Sequence, residues 1–152
     1  MTIGPLKKGQ NIELAYWIAE ELVKSGTAKF HEEGILNMAK LSKIHWRETI
    51  PTSRQIPSLQ KNFFFMLRRF LRRMNEESKT DPSKMLDYEK AMGLSRDIVN
   101  CRVRKIISIA AISTSASEMI KNMAAEEVEL YKILNSITNE WKNGLIKVED
   151  SQ

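Results

Sequence analysis

The sequence predicts an all-α fold, a compact helical bundle of about five helices with no β domain. Apolar residues recur at steps of three and four in five segments. Only 6 Gly and 4 Pro in 152 residues leave few breaks, and the one Ile-rich run, Ile106 to Ile112, has no second strand to pair with. The length suits a single core, with residues 1–145 as the helical domain and 146–152 as a short tail.

Asn11 is placed to cap a first helix over Ile12 to Ser25, where Leu14, Ala15, Ile18, Ala19 and Leu22 share a face and Gly26 is the stop. A second helix is expected from about Gly34 to Thr49, with Met38, Leu41 and His45 on one side and Pro51 ending it. Pro51 to Pro57 reads as a loop, and Ser58 as a cap for a third helix, Leu59 to about Glu77. Phe63, Leu67, Phe70 and Met74 form its apolar stripe, widened by Phe64 and Leu71. Asp81 and Pro82 open a long helical stretch to about Ile112, in which Gly93 and Ser95 offer an interruption and a second cap. After a loop over Ser113 to Ser117, a last helix from about Ala124 to Asn143 aligns Leu130, Leu134, Ile137 and Trp141 before Gly144. A helix as apolar as Ile106 to Ile112 implies a subunit interface, because a small bundle alone would leave part of it bare.

The composition sets outer limits on function. A 42% hydrophobic content is enough for a folded core. No apolar run approaches the roughly 20 residues of a membrane span, no signal peptide is expected, and the single Cys101 cannot form an intramolecular disulfide, so a reducing, intracellular compartment is expected. The net charge of +5 arises from 24 basic and 19 acidic residues in mixture, which permits an anionic partner without specifying one.

Residues for catalysis do not converge. His31 and His45 lack ligand-spaced partners, Cys101 lies beside buried helical positions, and Ser113, Ser115 and Ser117 have no phosphate-loop or nucleophile-elbow glycines. No metal, cofactor or catalytic residue is expected, and the protein is read as a non-enzyme. Glu126 and Glu127 suit the first turn of a helix. On the third helix Lys61, Arg68, Arg69, Arg72 and Arg73 project from about four turns with no acid before Glu76. Two uses are open for that face: phosphate contact, with salt-sensitive binding, or solvation and pairing with an acidic partner, the preferred reading.

Two motifs in the C-terminal half go further. Cys101-Arg102-Val103-Arg104-Lys105-Ile106 alternates basic and aliphatic residues, and Met123-Ala124-Ala125-Glu126-Glu127-Val128-Glu129-Leu130-Tyr131 opens the last helix with two acids and an aromatic. With the first helix ending at Gly26, and Trp46-Arg47-Glu48 in the second, these segments in this order resemble the helical A domain of GINS replication proteins of the Sld-five and Psf-one type, including their archaeal relatives. The resemblance implies a non-catalytic scaffold for chromosomal DNA replication: a two-plus-two heterotetramer with a sister-type GINS subunit, bound to the MCM helicase and a RecJ-like replisome protein. It implies a cytoplasmic, chromosome-associated archaeal protein with no membrane contact and at most a weak DNA contact. The family's C-terminal β domain is expected to be absent, since Gln152 falls just beyond the last predicted helix. Val103, Ile106, Ile107, Tyr131, Leu134 and Trp141 are the expected core or subunit-packing residues, with Arg102, Arg104, Lys105, Glu126 and Glu127 orienting the contact from its rim. The alternative is an independent basic helical nucleic-acid-binding module using the third helix.

Overall fold

The computed structural model describes residues 7–31, 35–50, 55–112 and 117–146. The chain packs as two compact units, Met1–Leu36 and Asn37–Gln152. All regular structure among the described residues is helical, with five helices of nine residues or more.

The first unit holds α1, Tyr16–Lys24. It begins later than the expected Ile12, because Asn11 does not cap it; Ala15 occupies the N-cap and has no side chain to offer. Its end matches the expectation. Gly26 takes φ +74°, a left-handed conformation that a side chain would strain, and this lets Thr27 N–H reach Leu22 C=O at 2.9 Å while Gly26 N–H reaches Val23 C=O at 3.0 Å. These two bonds are a Schellman stop.

In the second unit α2, Met38–Glu48, starts where the Asn37 side chain accepts from Lys40 N–H at 2.9 Å. Gly34 itself lies outside the described residues, as do residues 51–54 of the expected loop, but Ile35 to Asn37 are not helical, so α2 starts later than expected, at the Asn37 cap. Leu41 is fully buried on the face anticipated for it. Helix α3, Phe63–Thr80, is entered through Asn62 in a left-handed conformation, so Ser58 is not its cap and the helix starts four residues after Leu59. Between them Ile56 inserts into the core. Phe63, Leu67 and Phe70 are buried as expected, Met66 joins them, and Met74 is half-buried.

Asp81 accepts from Ser83 N–H at 3.0 Å and caps a short 3-10 turn, Pro82–Lys84, that leads into α4, Met85–Ala110. Gly93 does not interrupt α4, and Ser95 does not cap a new helix: it is buried and donates its hydroxyl to Ala91 C=O at 2.6 Å, which satisfies it within the helix. The Ile-rich run is helical as far as Ala110. A single turn, α5, Ser117–Ile120, follows, and α6, Ala125–Ile146, runs through Gly144, which therefore is not its stop.

Helix α4 is the axis of the unit, packed against α2, α3 and α6. One core cluster joins Ile56, Ile106, Ile109 and Met123, with Val128, Leu130, Tyr131 and Leu134 of α6 laid against it. Asn135 of α6 donates to Ala110 C=O at 3.1 Å, and Lys142 donates to Ala111 C=O, so α6 satisfies carbonyls left open at the end of α4 and then continues past it.

Candidate subunit interface and its buried charge network

Arg102 points inward from α4 and is 1% exposed. Its five N–H groups all find acceptors. Nε and Nη2 donate to Glu127 Oε1 and Oε2 at 2.6 and 2.7 Å, a bidentate fork; Nη1 donates to Glu48 Oε1 at 2.6 Å and to Pro57 C=O at 2.8 Å; Nη2 also reaches Asn122 C=O at 3.4 Å. The guanidinium thus joins the end of α2, the Ile56 segment, the turn before α6 and the first turn of α6.

The carboxylates are equally committed. Glu127 is the third residue of α6, and its Oε2 accepts from Ala124 N–H at 2.8 Å, half of a capping box whose other half is missing because Ala124 has no hydroxyl. Glu48 sits in the last turn of α2, where the helix dipole disfavours an acid. Lys105, which donates to Glu48 Oε2 at 3.4 Å and to its backbone C=O at 3.3 Å, offsets that together with Arg102. Two cations face two anions, so the cluster is locally neutral. Burial pulls the Arg102 pKa down, but Glu127 and Glu48 outweigh it and hold the guanidinium above its ordinary value, so it stays charged.

Arg102 and Glu127 therefore are not rim charges orienting a partner, as expected from sequence; they lie inside the bundle. Alternation of basic and aliphatic residues carried no sign of this, since inward basic residues are uncommon. Glu48 was visible only as part of Trp46-Arg47-Glu48, although the steps from Leu41 through His45 to Glu48 put it on the buried face of α2. Among the other singled-out residues, Ile106 is core, Val103, Lys105, Tyr131 and Leu134 are half-buried, Arg104 and Glu126 are exposed, and Ile107 is half open to solvent. The third-helix cations do not meet this network. Lys61, Arg68, Arg72 and Arg73 are exposed and Arg69 is half-buried.

The apolar seam of α6 divides in two. Leu130 and Leu134 lie against the core, while Ile137, Trp141 and Leu145, continuing the same seam, are 60%, 65% and 66% exposed. Helix α4 ends at Ala110, level with Asn135, and beyond that point only Thr138, Asn139 and Lys142 of α6 are half-buried. A groove of about 840 Å³ lies on another side of α4, lined by Ile50, Cys101, Arg104, Lys105, Ile109 and Ile112 among others. No described helix is long and apolar enough to cross a membrane, and no three His, Cys, Asp or Glu among the described residues are grouped to hold a metal ion.

The site is thus a helical bundle centred on one long helix, with one charge network turned inward and the outer half of an apolar seam exposed. The model of the Sld5-type GINS complex protein helical bundle domain matches residues 35–146, and the chain belongs to this family of DNA replication proteins. No curated protein matches the sequence.

Proposed function

We propose that the chain is a non-catalytic scaffold subunit of a GINS complex: it joins a sister-type subunit in a two-plus-two heterotetramer and in that form helps activate the MCM replicative helicase alongside a RecJ-like protein. Family membership supports the assembly with other GINS subunits. The single observation behind the choice of surface is the α6 seam, whose outer half, Ile137, Trp141 and Leu145, has the same apolar character as the inner half but is largely exposed among the described residues. Residues 1–145 act as the helical domain in this reading, with 146–152 as a tail. Ile107 and Arg104, on the exposed side of α4, are secondary contacts, and the Arg102 network holds α2, α4 and α6 at the angles that present the seam.

Light scattering after size exclusion, on the chain alone and co-expressed with the sister-type subunit of the same genome, tests this. The expected result is a mixed complex with equal numbers of both chains. Trp141→Ala should weaken it by about 2 kcal/mol or more, as for an aromatic anchor, while leaving the melting of the lone chain nearly unchanged. A lone chain that ignores the sister subunit would end the scaffold reading; a Trp141→Ala complex of undiminished affinity would move the interface elsewhere.

A further inference from the structure

Helix α6 reverses its polarity where it passes the end of α4. Before Asn135 the side chains packed against the core include Val128, Tyr131 and Leu134. Beyond it the half-buried residues are Thr138, Asn139 and Lys142, while Ile137, Trp141 and Leu145 stand exposed. A surface helix following the ordinary pattern would bury the second set and expose the first.

Three hydrogen bonds hold α6 in this rotation. Asn135 Nδ2 donates to Ala110 C=O at 3.1 Å, Asn139 Nδ2 donates to Asn135 Oδ1 at 3.0 Å, and the Lys142 ammonium donates to Ala111 C=O. In the last turn of α4, Ile107 and Ile109 C=O already accept from Ala111 and Ile112 N–H at 3.0 and 3.1 Å, and the two carbonyls that follow are given to α6. The negative end of the α4 dipole also favours a cation at this place. Residues 135, 139 and 142 are four and three apart and so lie along one side of α6. Lys142 and Trp141 are neighbours in sequence and point about 100° apart around the helix, so holding one against α4 turns the other away.

We infer that Asn135, Asn139 and Lys142 are positioning residues for assembly: they clamp the outer turns of α6 to the end of α4 and present Ile137, Trp141 and Leu145 already ordered. This rests on the reading of that seam as the face offered to the sister-type subunit. A seam ordered before binding avoids the conformational freedom that a frayed helix end would lose on association. The clamp also opposes a rotation that would fold Trp141 back onto the lone chain, because the Ala110 and Ala111 carbonyls and the asparagine side chains would then lose these bonds.

Lys142→Met keeps the aliphatic stem and removes the ammonium, whereas Lys142→Arg keeps a cationic donor. Amide hydrogen exchange and thermal melting of the lone chain, with calorimetric titration against the sister-type subunit of the same genome, compare both with the unmodified chain. In Lys142→Met, exchange over residues 138–146 should quicken about tenfold or more, the effect of one lost hydrogen bond to a charged group, while α2 and α3 keep their protection. Affinity for the sister subunit should fall about threefold or more, since only the ordered fraction of the seam is competent to bind. Asn135→Ala should act in the same direction, and Lys142→Arg should keep both properties near those of the unmodified chain. Unchanged exchange in Lys142→Met, faster exchange spread over the whole bundle, undiminished affinity beside faster local exchange, or Lys142→Arg behaving like Lys142→Met would each overturn the inference and leave the scaffold reading intact. If the unmodified chain forms no complex with the sister subunit, the scaffold reading fails and the presenting role with it; exchange, measured on the lone chain, tells the two failures apart.

Discussion

Arg102 on α4 and the pair Arg68 and Arg72 on α3 are the same side chain in opposite settings. Arg102 is out of water, with every N–H group bonded and two carboxylates within 2.7 Å. Arg68 and Arg72 keep their hydration and have no ion pair among the described residues. Burial makes full satisfaction a condition of folding, because a desolvated charge without partners is costly, whereas an exposed charge is satisfied by solvent and is left available to a ligand. A buried arginine therefore reports on architecture and an exposed one on possible encounters.

The sharpest way to break this contrast is at its buried end. Arg102→Ala strands Glu48 and Glu127 without their main counter-ion and should destabilise the chain by about 3–5 kcal/mol, measured by urea unfolding followed by circular dichroism. A loss below about 1 kcal/mol would mean that water replaces the guanidinium at little cost. Glu127→Gln keeps the shape and one acceptor but removes the charge, and about 1–3 kcal/mol is expected. In the cycle of Arg102→Met with Glu127→Gln, the double variant should lose less than the sum of the singles by about 0.5–3 kcal/mol, since the second substitution removes a group the first has already orphaned. Additivity would deny the coupling that the bidentate geometry implies.

At the exposed end, Arg68→Ala with Arg72→Ala should alter unfolding free energy by no more than about 0.5 kcal/mol. A larger loss would show the outer side of α3 to be structural. The smallest effect concerns pH. Hydrogen bonds from Ser83, first from its hydroxyl and then from its N–H, hold the Asp81 carboxyl below its ordinary value of 3.8. A depressed carboxylate contributes stability above its unfolded pKa and loses it as pH falls through the folded one, so Asp81→Asn should slightly flatten the acid side of the melting-temperature profile below about pH 4. Arg102 works in the other direction. Its raised pKa means that its contribution is fully present below the unfolded value and is lost only at extreme alkalinity, so it adds no slope near neutral pH.

The helices were legible where local chemistry is decisive. Gly26 stops α1 because only its backbone takes the left-handed turn freely, and Asp81-Pro82 marks the entrance to α4 through a cap and a preset φ. Starts without such a device were misplaced: α1 by the silence of Asn11, α3 by an unremarkable Ser58. Glycine was overvalued inside helices, since Gly93 and Gly144 both continue in α conformation where surrounding helical bonds outweigh about 1 kcal/mol of unfavourable propensity. Trp141 and Leu134 were correctly aligned on one seam, yet periodicity describes a helix face without saying what lies opposite.

By itself, the sequence determined that this chain is helical, where most of its helices run, that its motifs follow the order of the GINS family, and that one face of each helix is apolar. These follow from interactions within a few residues, such as caps, turns and three-to-four spacing, which are written along the chain. Only the tertiary structure decided which charges are internal and which half of the α6 seam is open. Glu48, Arg102 and Glu127 lie 54 and 25 residues apart in sequence and meet through packing of α2, α4 and α6. The seam opens beyond the level at which α4 ends, a relation between two helices that neither helix encodes alone.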